Sequence, residues 1–214
     1  VSYVLAFALW TLLGLGVLWW GARRVGLGIL PTALLLSSPA VLHCIYFGQS
    51  GNLAAGLLLA ALSYPARGAW GAGAATVALT VKPQLGVLVP VSWAIQGAWR
   101  MIGVVALAVL CLWGAGLAGF GFPVWQAYLG ETLPVLRVLE YEGSGPFVFM
   151  IPSVFMAVRV LSGTGELAAL IQLPVSVGVF LFSAWRLYHA RSLAEKTAMV
   201  LVGTAALSPY IHIY

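Results

Sequence analysis

Met101-Ile102-Gly103-Val104-Val105-Ala106-Leu107-Ala108-Val109-Leu110-Cys111-Leu112-Trp113-Gly114-Ala115-Gly116-Leu117-Ala118-Gly119-Phe120 runs for twenty residues without a charge. At 1.5 Å per residue a helix of that length spans about 30 Å, the thickness of a bilayer's hydrocarbon core. A backbone in that solvent must satisfy its own N–H and C=O groups, so the stretch is predicted to be a membrane-crossing helix. The same texture recurs to either side, in Ser2 to Trp20, Leu27 to Tyr46, Leu53 to Tyr64, Trp70 to Ile95, Phe147 to Leu161, Leu167 to Tyr188 and Thr197 to Tyr214. Over the whole chain 62% of residues are hydrophobic and 7% charged, where a soluble domain carries about a quarter charged. The expected fold is therefore all-α, a multi-pass transmembrane helical bundle forming one integral membrane domain over residues 1–214. Both ends fall inside apolar runs and read as cut, so the chain is expected to be a fragment.

The net charge is +5, from ten Lys and Arg against five Glu and no Asp. Most of the basic residues lie between apolar runs, where they set orientation across a membrane and do not form a surface for nucleic acid. Arg23 and Arg24, just after Trp19 and Trp20, read as an interfacial aromatic belt followed by a cytoplasmic anchor. The loop with Arg186, Arg191 and Lys196 is expected on the same side. Gly121 to Pro146 is the longest polar connection, holds Glu131, Arg137, Glu140 and Glu142, and is expected to be an extracytoplasmic loop. Charge counting does not choose between two topologies. In one, all eight segments cross; in the other, Trp70 to Ile95 is a re-entrant hairpin and Phe147 to Leu161 does not cross. Cys44 and Cys111 lack metal-ligand spacing and read as packing residues; no metal site is expected.

Ionisable groups at membrane depth cost at least a few kcal/mol and so point to function. Lys82 lies between Val81 and Pro83, near the middle of its segment, and an ammonium there suits a lipid phosphate or a sugar oxygen. The alternative is that the segment is two short helices and Lys82 sits at an interface. Gln49 and Asn52 belong to the Gly-flanked knot Gly48-Gln49-Ser50-Gly51-Asn52, which suits either a cavity lining or hydrogen bonds between helices. Arg159 is a binding candidate or a snorkelling residue near a helix end. His212 follows a helix-breaking cluster where a cavity lining is plausible.

Thr80-Val81-Lys82-Pro83-Gln84-Leu85-Gly86-Val87-Leu88-Val89-Pro90 closely resembles a signature of the glycosyltransferase family 87 membrane proteins. Gly48-Gln49-Ser50-Gly51-Asn52 is similar to the family's Gly-Gln-Asn-Gly turn, with Ser50 where Asn is usual. Pro152-Ser153-Val154-Phe155-Met156-Ala157-Val158-Arg159 resembles a third element, and Ser208-Pro209-Tyr210-Ile211-His212-Ile213-Tyr214 is similar to a Pro-Tyr stretch generally followed by Asp. The four elements occur in the family's order, from residue 48 to the end.

The resemblance implies a GT-C type bundle that takes a hexose, typically mannose, from a polyprenyl-phosphate donor. It passes the sugar to a lipid or glycan acceptor on the outer face of the cytoplasmic membrane, with no further cofactor. The usual general base in such enzymes is an acidic residue of the first outward loop, which would lie before Val1, so no catalytic residue is assigned within this chain. Lys82 and Arg159 can supply positive charge to the departing phosphate, while Gln49, Asn52, Gln84, Ser153, Tyr210 and His212 can orient the sugar. The expected partners are membrane lipids, the lipid-linked donor and the acceptor. A transporter or lipid flippase is the rival from another class, because it too places a broken helix and a buried Lys at mid-membrane.

Overall fold

The computed structural model describes residues 2–145, 148–149 and 151–209, and every regular element among them is helical. Three helices are long and apolar enough to cross a membrane: α1 (Tyr3–Arg24), α7 (Trp99–Phe120) and α11 (Gly165–His189). A fourth span is formed if α2 (Ile29–Leu36) and α3 (Pro39–Tyr46) count as one, bent by 45°. The bend has a local cause. Pro39 cannot donate to a preceding carbonyl, and Ser38 instead caps the new helix by accepting from the Val41 N–H.

The chain packs as two compact units. The first comprises residues up to Val105 together with Ser183–Thr204. Its backbone is the pair α1 and α4 (Gly51–Leu62), which run parallel because α2 and α3 carry the chain back between them. Contacts fix the register: Gly14 faces Asn52, Gly56 lies on the Val17–Leu18 peptide, and Arg24 donates to Ser63 Oγ at 2.9 Å. A Cβ on Gly56 would come 2.5 Å from the Leu18 nitrogen, and one on Gly21 would strike the Gly56 carbonyl. Backbone meets backbone here, a closeness that glycine alone permits.

Arg24 also donates to the carbonyls of Arg67 and Gly68, tying the start of α5 (Ala69–Leu79) to the end of α1. From there α5 climbs along α4 for eleven residues, about 16 Å, and stops. Lys82 follows, then a 3₁₀ turn (Pro83–Gly86), then α6 (Leu88–Ile95). The direction of α6 decides between the two topologies. Its Trp93 ring packs 5.9 Å from the ring of Tyr64, just past the end of α4, and Met101 and Val105 at the start of α7 sit against Gly73 near the start of α5. Residues 69–95 therefore go up and come back. The segment that hydropathy left open is a helical hairpin with Lys82 and Pro83 at its tip. Since α1 is about 33 Å long and the tip is about 16 Å from the Arg24 end, the hairpin turns roughly halfway along α1. Against α6, Gly203 of α12 (Leu193–Leu207) lies between Ser183 of α11 and Leu88.

The second unit comprises Ala106–Phe182 and 205–209. Gly121, with φ +79°, ends α7. The sequence from there to residue 146, read above as a polar connection, is largely helical: α8 (Phe122–Ala127), a π turn (Tyr128–Thr132) and α9 (Leu133–Glu142) follow without a break. The π turn has a cause in Pro134. Leu133 reaches back five residues to the Tyr128 carbonyl just before the position whose N–H proline removes. α10 (Val154–Ser162) has nine residues, about 14 Å, and is too short to cross. It packs Phe155 and Met156 with Val148, Ile151 and Ala168 in a small apolar core.

Candidate functional site

The turn at the hairpin tip and the knot at residues 48–52 occupy the same level of the first unit. α4 begins at Gly51 and reaches Arg24 only after twelve residues, about 18 Å, which matches the climb of α5. Two hydrogen bonds hold the knot in place: the Trp10 indole N–H donates to the Gly48 carbonyl at 3.1 Å, and the Asn52 amide donates to the Val41 carbonyl at 3.4 Å. Gly48 takes φ +62°, so the reversal after α3 uses a conformation that L side chains rarely adopt.

Lys82 stands close enough to this knot for its charge to act on the Cys44 thiol. The sequence readings for Gln49 and Asn52 thus fall in one crevice with Cys44, and Lys82 lies within electrostatic reach of it. Lys82 is half-buried, and its side chain forms no hydrogen bond or salt bridge with another described residue. The first unit contains one carboxylate, Glu195, and that group accepts from the Arg191 backbone N–H at 2.8 Å. Among the described residues Lys82 is therefore a cation without a counter-ion in its unit. Gln84, two residues on, is exposed in the 3₁₀ turn. Gln49 and Asn52, with Trp10, Thr11, Gly14 and Cys44, line a crevice of about 10 Å³, room for one water. Anything larger that meets Lys82 must lie outside this crevice.

Arg159 and Ser153 belong to the second unit. Arg159 is 9% exposed, and its Nε donates to the Tyr141 carbonyl at 2.9 Å while a terminal nitrogen donates to the Gly143 carbonyl. It clamps the end of α9, where unsatisfied carbonyls and the helix dipole favour a cation. Replacing Arg159 by Met leaves those carbonyls without their charged donor and is expected to lower stability by about 2–4 kcal/mol, read as a fall in unfolding temperature and as faster proteolysis around residues 143–145. Lys in its place, lacking the planar fork, restores only part of the loss. Ser153 caps α10 by accepting from the Met156 N–H at 3.1 Å. It also contributes the one hydroxyl to an open groove of about 280 Å³ whose other walls include Phe149, Ile151, Met156, Ala157 and Leu161. Tyr210 and His212 lie outside the described residues.

Two carboxylates noted in the sequence sit on α9. Glu142 is exposed, whereas burial raises the Glu140 carboxyl above its ordinary range. Desolvation favours the neutral form, so the folded chain holds this proton more tightly than the unfolded one does. Stability from this group is present at low pH and is lost as pH rises through the raised value. Unfolding temperature should therefore fall across that interval in the native chain and stay flatter in Glu140→Gln.

Several polar contacts were not evident from sequence. Trp10 and Cys44 both read as lipid-compatible residues. Gln172, 4% exposed inside α11, accepts from the Phe155 N–H at 2.8 Å and donates to Ser176 Oγ at 2.7 Å. Ser176 in turn donates to the Leu207 carbonyl at 2.9 Å. Among the described residues no group of three His, Cys, Asp or Glu is gathered to hold a metal.

The sequence profile of glycosyltransferase family 87 matches residues 1–209. No curated protein and no solved structure matches the chain.

Proposed function

Because the chain belongs to glycosyltransferase family 87, a membrane glycosyltransferase family, we propose that it transfers a hexose, mannose in the first instance, from a polyprenyl-phosphate donor to a lipid or glycan acceptor. The observation that carries this reading is the uncompensated ammonium of Lys82 at the tip of a hairpin that turns at half the length of α1. A cation there is costly unless an anion meets it, and the donor phosphate is such an anion. As the anomeric C–O bond to phosphate breaks and the acceptor oxygen forms its own bond to that carbon, negative charge grows on the departing phosphate. Lys82 opposes that charge. Gln84, exposed on the tip, and Gln49, half-buried on the knot, offer amides to the sugar hydroxyls, while Asn52 is buried and spends its amide on the Val41 carbonyl, so it holds the knot in place. Arg159, turned to carbonyls, is given no phosphate contact in this scheme. Ser153, Tyr210 and His212 are assigned to the sugar on the resemblance of their motifs alone.

Orientation follows from charge. Arg23, Arg24, Arg67 and Arg100 lie at the end of the first unit opposite the hairpin tip, which makes that end cytoplasmic under the positive-inside rule. The tip then opens toward the outer leaflet of the cytoplasmic membrane, the chain is multi-pass, and residues 121–146 are extracytoplasmic. The helical hairpin also suits a lipid translocator. Vesicles reconstituted with the full-length protein and a doubly labelled polyprenyl-phosphate mannose separate the two. Label transferred from phosphate to an acceptor supports the transferase, and label that crosses the bilayer with its phosphate bond intact supports the translocator.

A further inference from the structure

From Phe122 to Leu139 every residue except Trp125 is exposed. Glu131 and Arg137 are the charged residues of that stretch, and Phe122, Leu129 and Val135 are each more than half exposed. So much contiguous apolar surface marks contact with a membrane or with another protein. A path across the bilayer would put Glu131, midway between Phe122 and Glu142, at the hydrocarbon centre, where a carboxylate is costly. The start of the segment identifies its neighbour. α7 is long and apolar enough to cross a membrane, and Gly121, with φ +79°, turns the chain at its end. α8 then lies back along α7: the Trp125 ring is 6.4 Å from that of Trp113, and a Cβ on Gly116 would come 3.7 Å from the same Trp125 ring. Trp113 stands seven residues, about 10 Å, short of Phe120. The first turn of α8 therefore lies beside a part of α7 that is still in lipid, not out in water.

Farther along, α9 has two faces. Arg137 and Tyr141, one turn apart, share the first, with the guanidinium 5.2 Å from the centre of the Tyr141 ring. Tyr141 in turn packs 5.5 Å from Phe155, in the small apolar core of α10. Val135, Leu136 and Leu139 occupy the opposite face and are each about half exposed. We propose that α8, the π turn and α9 form an in-plane anchor seated in the lipid–water boundary of the leaflet at the Phe120 end of α7, with Val135, Leu136 and Leu139 among the acyl chains. Its charges, three Glu against one Arg, give no attraction to anionic headgroups, so insertion of the apolar face holds it there. Trp125 and Tyr128 suit that level, where an aromatic ring meets both lipid and water. Seated in this way, the anchor sets the depth of the α10 core through Tyr141, whose carbonyl also accepts from Arg159 Nε at 2.9 Å. The anchor needs no substrate and stands whether or not the chain transfers sugar.

The test places single nitroxide labels on the full-length protein in phosphatidylcholine nanodiscs, after removal of exposed thiols, Cys111 among them; Cys44 is buried. Collision with oxygen, which partitions into lipid, and with a nickel chelate, which stays in water, gives the depth of each label. Labels at Leu136→Cys and Leu139→Cys are expected about 5–10 Å below the headgroup phosphates, and a label at Arg137→Cys nearer the water. The depths are expected to stay the same when anionic phosphatidylglycerol is added to the nanodiscs. Equal exposure of all three labels to the nickel chelate overturns the anchor, because the helix then stands in water. A depth that changes steadily by about 1.5 Å per residue, as along a crossing helix, overturns it as well. So do labels at Leu136→Cys and Leu139→Cys that are shielded from both reagents, which would show protein on that face, and seating that appears only with phosphatidylglycerol, which would show that charge and not the apolar face holds the helix.

Discussion

Lys82→Ala in the full-length protein is expected to lower sugar transfer by about 10²–10³-fold, the usual result of removing one preorganised group that faces charge developing in a transition state. The loss should fall more on kcat than on the donor KM, because the phosphate gains charge as the glycosidic bond breaks. A second signature separates this role from a structural one. The ammonium is half-buried, has no counter-ion in its unit and bonds to no described residue, so its removal relieves a cost and should leave unfolding temperature unchanged or raised. Lys82→Arg keeps charge but not shape, and partial activity is expected. Transfer at the native rate in Lys82→Ala, or a protein that unfolds at markedly lower temperature, would remove the proposed role.

Gly56→Leu should abolish the fold of the first unit. The side chain must enter where a Cβ alone would meet the Leu18 nitrogen at 2.5 Å and the Val17 carbonyl carbon at the same distance. Neither neighbour is a flexible side-chain tip, so α1 and α4 have to separate. Overpacking a well-filled core costs about 1–3 kcal/mol, and displacement of backbone by a whole leucine lies at or above the top of that range. Gly16→Leu is the control, since nothing lies within 4 Å of its added Cβ. The comparison is read as the fraction of monodisperse protein after detergent extraction and as its unfolding temperature. Equal behaviour of the two variants would show that the α1–α4 approach does not carry the unit.

Much of this architecture was visible in sequence because lipid and core favour the same residues. Met101 to Phe120 became α7, and the Ser37-Ser38-Pro39 interruption became the 45° bend between α2 and α3. The direction of the hairpin was not visible. Either path of residues 70–95 buries the same residues and yields the same charge balance, so only contacts such as Trp93 with Tyr64 decide it. Residues 121–146 read as a connection because their charges and three prolines hide a helix that absorbs Pro134 with a π turn.

The candidate site divides in the same way. Lys82, Gln49 and Asn52 stood out because polar groups are rare within apolar runs. Cys44 and Trp10 did not, since a thiol and an indole are at home in lipid and the Trp10 hydrogen bond to the knot joins distant parts of the chain. Arg159 showed its charge in sequence but not its partners, the carbonyls of Tyr141 and Gly143, which lie eighteen and sixteen residues away.

The parallel seating of α1 on α4 has a consequence for biogenesis. When α1 enters the bilayer, the glycine that must receive it is still enclosed behind it in the chain, and two further elements must emerge first. The nascent helix waits in the bilayer with its docking groove empty, held by Arg23 and Arg24 at its tail. A chain held with α1 in the bilayer and α4 still enclosed should leave α1 open to capture by quality-control proteases, and emergence of α4 should close that window.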